Sequence, residues 1–133
     1  MKSIELLVVD DNAADAFLLY YALEDCLRPI RLHHAKDDEI AVQMLSEKQF
    51  DLVILDLNMP GLSGYDVLKQ CDPKRVPVVM FSVSSNEADA KRAVDLGARE
   101  FVHKPVGLEA YRRAVLTMIE KWVLSGGKKT AGA

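Results

Sequence analysis

Carboxylates stand directly after two short apolar runs of this chain. Asp10 and Asp11 follow Ile4 to Val9, and Asp56 follows Leu52 to Leu55. Ser82 follows the run Val76 to Phe81, and Lys104 with Pro105 follows Glu100 to His103. Were these runs strands of one sheet, three carboxylates, a hydroxyl and an ammonium would meet at one edge of it. Clustered carboxylates raise one another's pKa values unless a cation neutralises them. Mg²⁺ suits such a cluster, because it takes one or two carboxylates, keeps several waters and accepts a phosphate oxygen. Beside it, Asp56 would act as a carboxylate nucleophile and form an aspartyl phosphate. Lys104 would offset charge on the phosphoryl oxygens, and the Ser82 hydroxyl would donate a hydrogen bond to one of them. Each residue alone has a plainer reading: a helix cap for Asp10 or Asp11, a turn for Asp56, a strand-end hydroxyl for Ser82, a solvated cation for Lys104. The five together make the case.

The elements that must position them are legible from periodicity. Apolar runs of four to six residues, rich in Val and Ile and bounded by turn residues, predict strands buried on both faces. Ile30 to His34 adds a weaker one. Helical patterns lie between them. Ala14 to Leu27 carries a stripe of Phe17, Leu18, Tyr21 and Leu23, and Asp38 to Glu47 one of Ile40, Ala41, Met44 and Leu45. Gly64 to Cys71 and Asn86 to Leu96 are shorter, the second stopped by Gly97. A final helix from about Leu108 to Leu124 carries Leu108, Tyr111, Val115, Met118, Ile119 and Trp122 on one side. Five alternations of strand and helix imply an α/β fold, a doubly wound five-stranded parallel sheet with helices on both faces. In such sheets ligands sit beyond the carboxyl ends of the strands, where the five candidate residues fall.

Composition narrows the classes. With 133 residues, half of them hydrophobic, and a net charge of −3, the chain fits one ordinary globular domain and has no global basic field for nucleic acid or an anionic membrane. The apolar run near the start is too short for a signal-peptide core or a membrane span, so a cytoplasmic protein is expected. Cys26 and Cys71 lack metal-ligand spacing and read as free thiols. His33, His34 and His103 read as surface imidazoles, and Arg112 and Arg113 as a solvated face. Trp122 is a candidate anchor for a partner or a homodimer through the C-terminal helix. Residues 125–133 have no apolar periodicity and read as a disordered tail after a domain spanning 1–124.

The stretches Leu7 to Asn12, Leu55 to Gly64, Pro77 to Ser82 and Lys104-Pro105 resemble the response-regulator receiver family, in that family's order and spacing, over about residues 3 to 124. The resemblance implies a flavodoxin-like fold of the chemotaxis-regulator type. It also implies a phosphorylation switch fed by a histidine kinase's phosphohistidine, with no catalysis beyond self-phosphotransfer and autodephosphorylation, and an unknown downstream protein. It makes Asp56 the phosphoacceptor. Asp11, Asp56 and the Asn58 backbone carbonyl become direct Mg²⁺ ligands, with Asp10 acting mainly through water. Ser82 takes the place of the family's Thr or Ser, Lys104 that of its lysine, and Phe101 that of its switch aromatic. The resemblance further implies a cis peptide between Lys104 and Pro105, and a role for Asn58 and Ser84 in setting the phosphoryl lifetime. The segments Asp11 to Asp15 and Ile119 to Trp122 are similar to small stand-alone regulators paired with phytochrome-type histidine kinases, although Ala13 stands where that subgroup usually has Pro.

Three other readings fit less well. An aspartyl-phosphate phosphatase of the haloacid dehalogenase type needs an Asp as general acid/base two residues after the nucleophile, and Asn58 stands there. A receiver that has lost phosphorylation usually lacks an acidic-pocket residue or the acceptor, and none is missing. Gly61 and Gly64 follow the third strand and do not form a dinucleotide-binding pattern.

Overall fold

A computed structural model describes residues 3–24, 28–59, 62–72, 74–83 and 86–124. Its strands are β1 (Ile4–Val9), β2 (Ile30–Ala35), β3 (Leu52–Leu55), β4 (Asn58–Met59), β5 (Leu62–Ser63), β6 (Val78–Ser82) and β7 (Glu100–His103). Its helices are α1 (Ala13–Leu23), α2 (Asp38–Glu47), α3 (Gly64–Gln70), α4 (Glu87–Asp95) and α5 (Leu108–Ile119), the last continued by a widened π-helical turn, Glu120–Leu124. Five strands form one parallel sheet in the order β2-β1-β3-β6-β7. The α/β architecture and the five-strand sheet are as expected. The small antiparallel pair of β4 and β5 is an addition the periodicity did not signal, since two-residue strands carry no period.

The sheet is buried on both sides because its central strands are apolar at nearly every position, Glu5 in β1 and Ser82 at the end of β6 being the exceptions. Period-two alternation sends Leu7, Val9, Val53, Leu55, Val78 and Met80 into one core, shared with α2, α3 and α4. Ile4, Leu6, Val8, Leu52, Ile54, Val79 and Phe81 enter the other, which α1 and α5 cover. Local signals end the helices. The Asp37 carboxylate accepts from the Ile40 N–H at the start of α2, the Asn86 amide oxygen accepts from Ala88 N–H at the start of α4, and Gly97 turns the chain after α4 at φ 114°.

The phase of α1 differs from expectation. Leu19 and Ala22 are buried and Leu18 and Leu23 half-buried, whereas Phe17 is 75% exposed and Tyr20 and Tyr21 are also exposed. A helix apolar nearly all round, as Ala13 to Leu23 is, leaves the buried stripe undetermined by sequence. It also stops at Leu23 rather than Leu27, and Cys26 lies outside the described residues. In α5, Tyr111, Val115, Met118 and Ile119 are buried as expected, but Leu108 is largely exposed in the first turn. The π-helical turn swings Trp122 back onto its own sheet, where Nε1 donates to Glu100 Oε1 at 2.8 Å and the ring packs on the second core. Trp122, expected as a candidate anchor for a partner or a homodimer, is thus half-buried and already has a hydrogen-bond partner in β7. Residues 125–133, expected as a disordered tail, lie outside the described residues, as does Ser84. Among the described residues no helix is long and apolar enough to cross a membrane.

Candidate functional site

After β1 the chain passes to β2 on one side and then to β3 on the other, so strand order reverses between β1 and β3. Open α/β sheets bind ligands at such a point. The register pairs Val9 with Leu55, and the ladder runs one step further through Asp56 N–H to the Val9 carbonyl at 2.9 Å. Asp10 N–H likewise donates to Ala35 O at 3.0 Å. These bonds fix the backbones of the two aspartates side by side as the strands end.

Asp10, Asp11 and Asp56 offer carboxylate oxygens that all lie within 4.8 Å of one another, Asp10 and Asp56 buried and Asp11 exposed. Lys104 reaches the same place from the end of β7. Its N–H donates to the Ser82 carbonyl at 2.7 Å, and its Nζ lies 3.0 Å from Asp10 Oδ2 and 3.5 Å from Asp56 Oδ2. Ser82, the last residue of β6 rather than the first beyond it, is fully buried. The five residues expected at one edge thus all fall at the carboxyl ends of β1, β3, β6 and β7, and the Asp10, Asp11 and Asp56 carboxylates and the Lys104 ammonium meet there.

The expected cis bond is corrected: no peptide bond among the described residues is cis, that between Lys104 and Pro105 included. The lysine is aimed by its ladder bond to Ser82 and by its two carboxylate partners, and X-Pro bonds favour trans slightly. Asn58 sits two residues past Asp56 in β4, its backbone paired with Ser63. Phe101 lies in β7 beside Met80, half-buried against the core that α2, α3 and α4 share.

Burial pushes the Asp10 carboxyl up to about 6; the Asn12 N–H at 2.8 Å and the Lys104 ammonium oppose the shift, and Asp56 adds to it. Two buried carboxylates and one ammonium leave the pocket short of positive charge, and an exposed third carboxylate at its mouth deepens that deficit. A hard divalent cation fits this donor set. Asp10, Asp11 and Asp56 would hold it, and when bound it would neutralise their charge and that of a phosphoryl group.

Two features of the site escaped the sequence. His34 is not a plain surface imidazole, because its Nε2 hydrogen-bonds the Asp10 carbonyl; His33 meets Glu5 at 2.9 Å and Phe50 edge-on. His103 is exposed, as expected. Gly64 packs directly on the phosphoacceptor candidate: a Cβ there would lie 2.4 Å from the Asp56 carbonyl oxygen and 2.9 Å from Leu57 Cα. Only the glycine itself, in the run Leu55 to Gly64, marked the spot.

Comparison with known proteins agrees with this geometry. The family model for the response regulator receiver domain matches residues 6–116. The phosphorylated cyanobacterial phytochrome response regulator RcpA superposes with a TM-score of 0.83 at 30% identity, over 92% of this chain and 95% of that one. The Mn²⁺-bound response regulator Rcp1 gives 0.81 at 25% identity, over 90% and 94%. A probable transcriptional regulator, ycf27 of Guillardia theta, is 33% identical over 96% of this chain and 51% of its own length. A probable cyclic di-GMP phosphodiesterase of Vibrio cholerae is 29% identical over 90% of this chain and 27% of its own. The chain thus spans about half or less of these two curated relatives. Sheet order, the acidic pocket and the family match agree, and the chain belongs to the response-regulator receiver family.

Proposed function

We propose that this protein is a cytoplasmic response-regulator receiver that accepts a phosphoryl group on Asp56 from a histidine kinase's phosphohistidine, with Mg²⁺ beside it. The observation that carries the reading is the placement of Lys104, 3.0 Å from Asp10 and 3.5 Å from Asp56 with Asp11 alongside, at the strand-order reversal. In this reading Asp56 attacks phosphorus, the histidine nitrogen leaves, and an acyl phosphate forms. Asp10 and Asp11 hold the cation with Asp56 and the Asn58 carbonyl. Lys104 moves its ammonium from the carboxylate pair to a phosphoryl oxygen, a charge-assisted bond available without repacking because the side chain is already buried there. Ser82 donates to a second oxygen.

The contacts made by the phosphoryl group bias a two-state equilibrium. As Ser82 is drawn in, the loop after β6 shifts and Phe101 follows. Phe101 has no hydroxyl, so packing alone would drive its movement.

Similarity to the phytochrome response regulator RcpA supports a phytochrome-type kinase as donor. The surface beside the site suits a protein partner. Val83 and Val106 are 68% and 95% exposed, and with Leu18, Pro105 and Leu108 they line a depression that reaches Lys104. A homodimer along the C-terminal helix belongs to the same reading, with Leu124 exposed there while Glu100 holds Trp122. Phosphotransfer from a phytochrome-type kinase tests the partner assignment. Transfer should be faster than from unrelated histidine kinases and absent with Asp56→Asn; equal rates from all kinases would remove it.

A further inference from the structure

Helix α4 is lightly anchored. Its one buried residue is Ala93, while Glu87, Lys91, Arg92, Val94 and Asp95 are exposed. Elements with so little buried apolar surface open most readily, so a few polar contacts decide where they sit. One set of contacts comes from α3. The buried Tyr65 hydroxyl lies 3.0 Å from Asp89 Oδ1 and 3.2 Å from the Asp89 carbonyl, and the Arg92 guanidinium stacks 4.1 Å above the centre of the same ring. Asp89 and Arg92, three apart, share one helix face, so α4 grips the ring at its tip and across its plane.

The other end of this link is the phosphoacceptor segment. Tyr65 follows Gly64, whose N–H donates to the Leu57 carbonyl at 2.8 Å and whose Cα rests on the Asp56 carbonyl without room for a Cβ. The first turn of α3 is thus packed on the Asp56–Leu57 backbone and cannot stay still if that backbone moves.

We propose that Tyr65 is a positioning residue that tethers α4 to the phosphoacceptor segment, so that α4 responds to the state of Asp56 by a route separate from Ser82 and Phe101. The coupling rests on the reading of Asp56 as phosphoacceptor; the tether at rest does not. Tyr65→Phe keeps the packed ring and the Arg92 stacking and removes only the hydroxyl.

The test is amide hydrogen exchange, read by mass spectrometry on the full chain, for the native protein and Tyr65→Phe. Each is measured at rest and with Mg²⁺ and acetyl phosphate, and phosphoryl uptake is read in parallel from intact mass. At rest, α4 amides of Tyr65→Phe should exchange about tenfold faster, a factor within reach of one hydrogen bond to a carboxylate. Amides of α5 should be unchanged. On phosphorylation, α4 exchange should change in the native protein and change much less in Tyr65→Phe, with uptake equal in both. Unchanged α4 exchange at rest, or an equal increase in α5, would overturn the tether. A native-sized α4 response in the variant, or none in the native protein despite uptake, would overturn the coupling. No uptake by the native protein would instead remove the phosphoacceptor reading and the coupling with it, while the resting comparison still decides the tether.

Discussion

The Lys104 ammonium lies 3.0 Å from Asp10 Oδ2, and both side chains are buried although they are 94 residues apart in sequence. Neither charge is tenable there alone. Removing one partner of a buried pair leaves an uncompensated charge, at a cost of about 3–5 kcal/mol. Asp56, 3.5 Å from the same ammonium, would lose a partner as well. Lys104→Ala should therefore lower the stability of the metal-free protein by about 3 kcal/mol in urea unfolding, and Mg²⁺ should restore much of the loss. Phosphoryl labelling of Asp56 should persist while the response of a partner protein falls. Unchanged stability without metal would show that the pair carries no such charge balance.

The same pocket sets a pH dependence. The Asp10 carboxyl is raised from the ordinary 3.8 to about 6, because burial disfavours its charged form. Between those values the folded protein holds a proton that the unfolded chain has released, so stability falls as pH rises through that window. The contribution is fully present below about 4 and lost above about 6. Metal binding runs the opposite way, since a cation competes with that proton, and Mg²⁺ affinity should rise with pH up to about 6 and then level off. Calorimetric titration from pH 5 to 8 checks this, and Asp10→Asn should flatten both trends. Affinity that keeps climbing steeply above pH 7 would count against it.

Gly64 is required by space rather than by backbone angle. A methyl group there would meet the Asp56 carbonyl at 2.4 Å, and backbone yields less readily than a flexible side chain. Gly64→Ala should cost about 3 kcal/mol, the upper end for overpacking, and slow phosphoryl uptake by displacing Asp56. Gly107 offers the contrast, with φ at 102° and nothing within 4 Å of a Cβ. Gly107→Ala should cost about 1 kcal/mol through strain alone and leave uptake unchanged. Equal uptake in the two variants would refute the steric argument.

Much of this was readable before any coordinates, for a physical reason. Strands buried on both faces need nearly unbroken apolar runs, so the residues ending them, Asp10, Asp56 and Ser82, mark one edge of the sheet, where Lys104 joins them from the end of the partly polar edge strand β7. The phase of α1 was not readable, because a helix made, apart from Asp15, of Ala, Phe, Leu and Tyr offers several apolar faces and only packing selects Leu19 and Ala22. Trp122 packs with the α5 stripe as its spacing suggested, but its bond to Glu100, 22 residues away, has no local signature. The contact of Tyr65 with Asp89 spans 24 residues between two helices, and no local pattern encodes such a pair. His34 was passed over for a similar reason, since its partner is the backbone carbonyl of Asp10, just past the end of the neighbouring strand.

The central claim is that Asp56 becomes an acyl phosphate inside this cluster. Incubation with acetyl phosphate and Mg²⁺, followed by intact mass measurement, tests it most directly on the native chain and on Asp56→Asn. One labile phosphoryl group should appear on the native protein and none on the variant. A native chain that gains no phosphoryl group, or a variant labelled equally, would contradict the account.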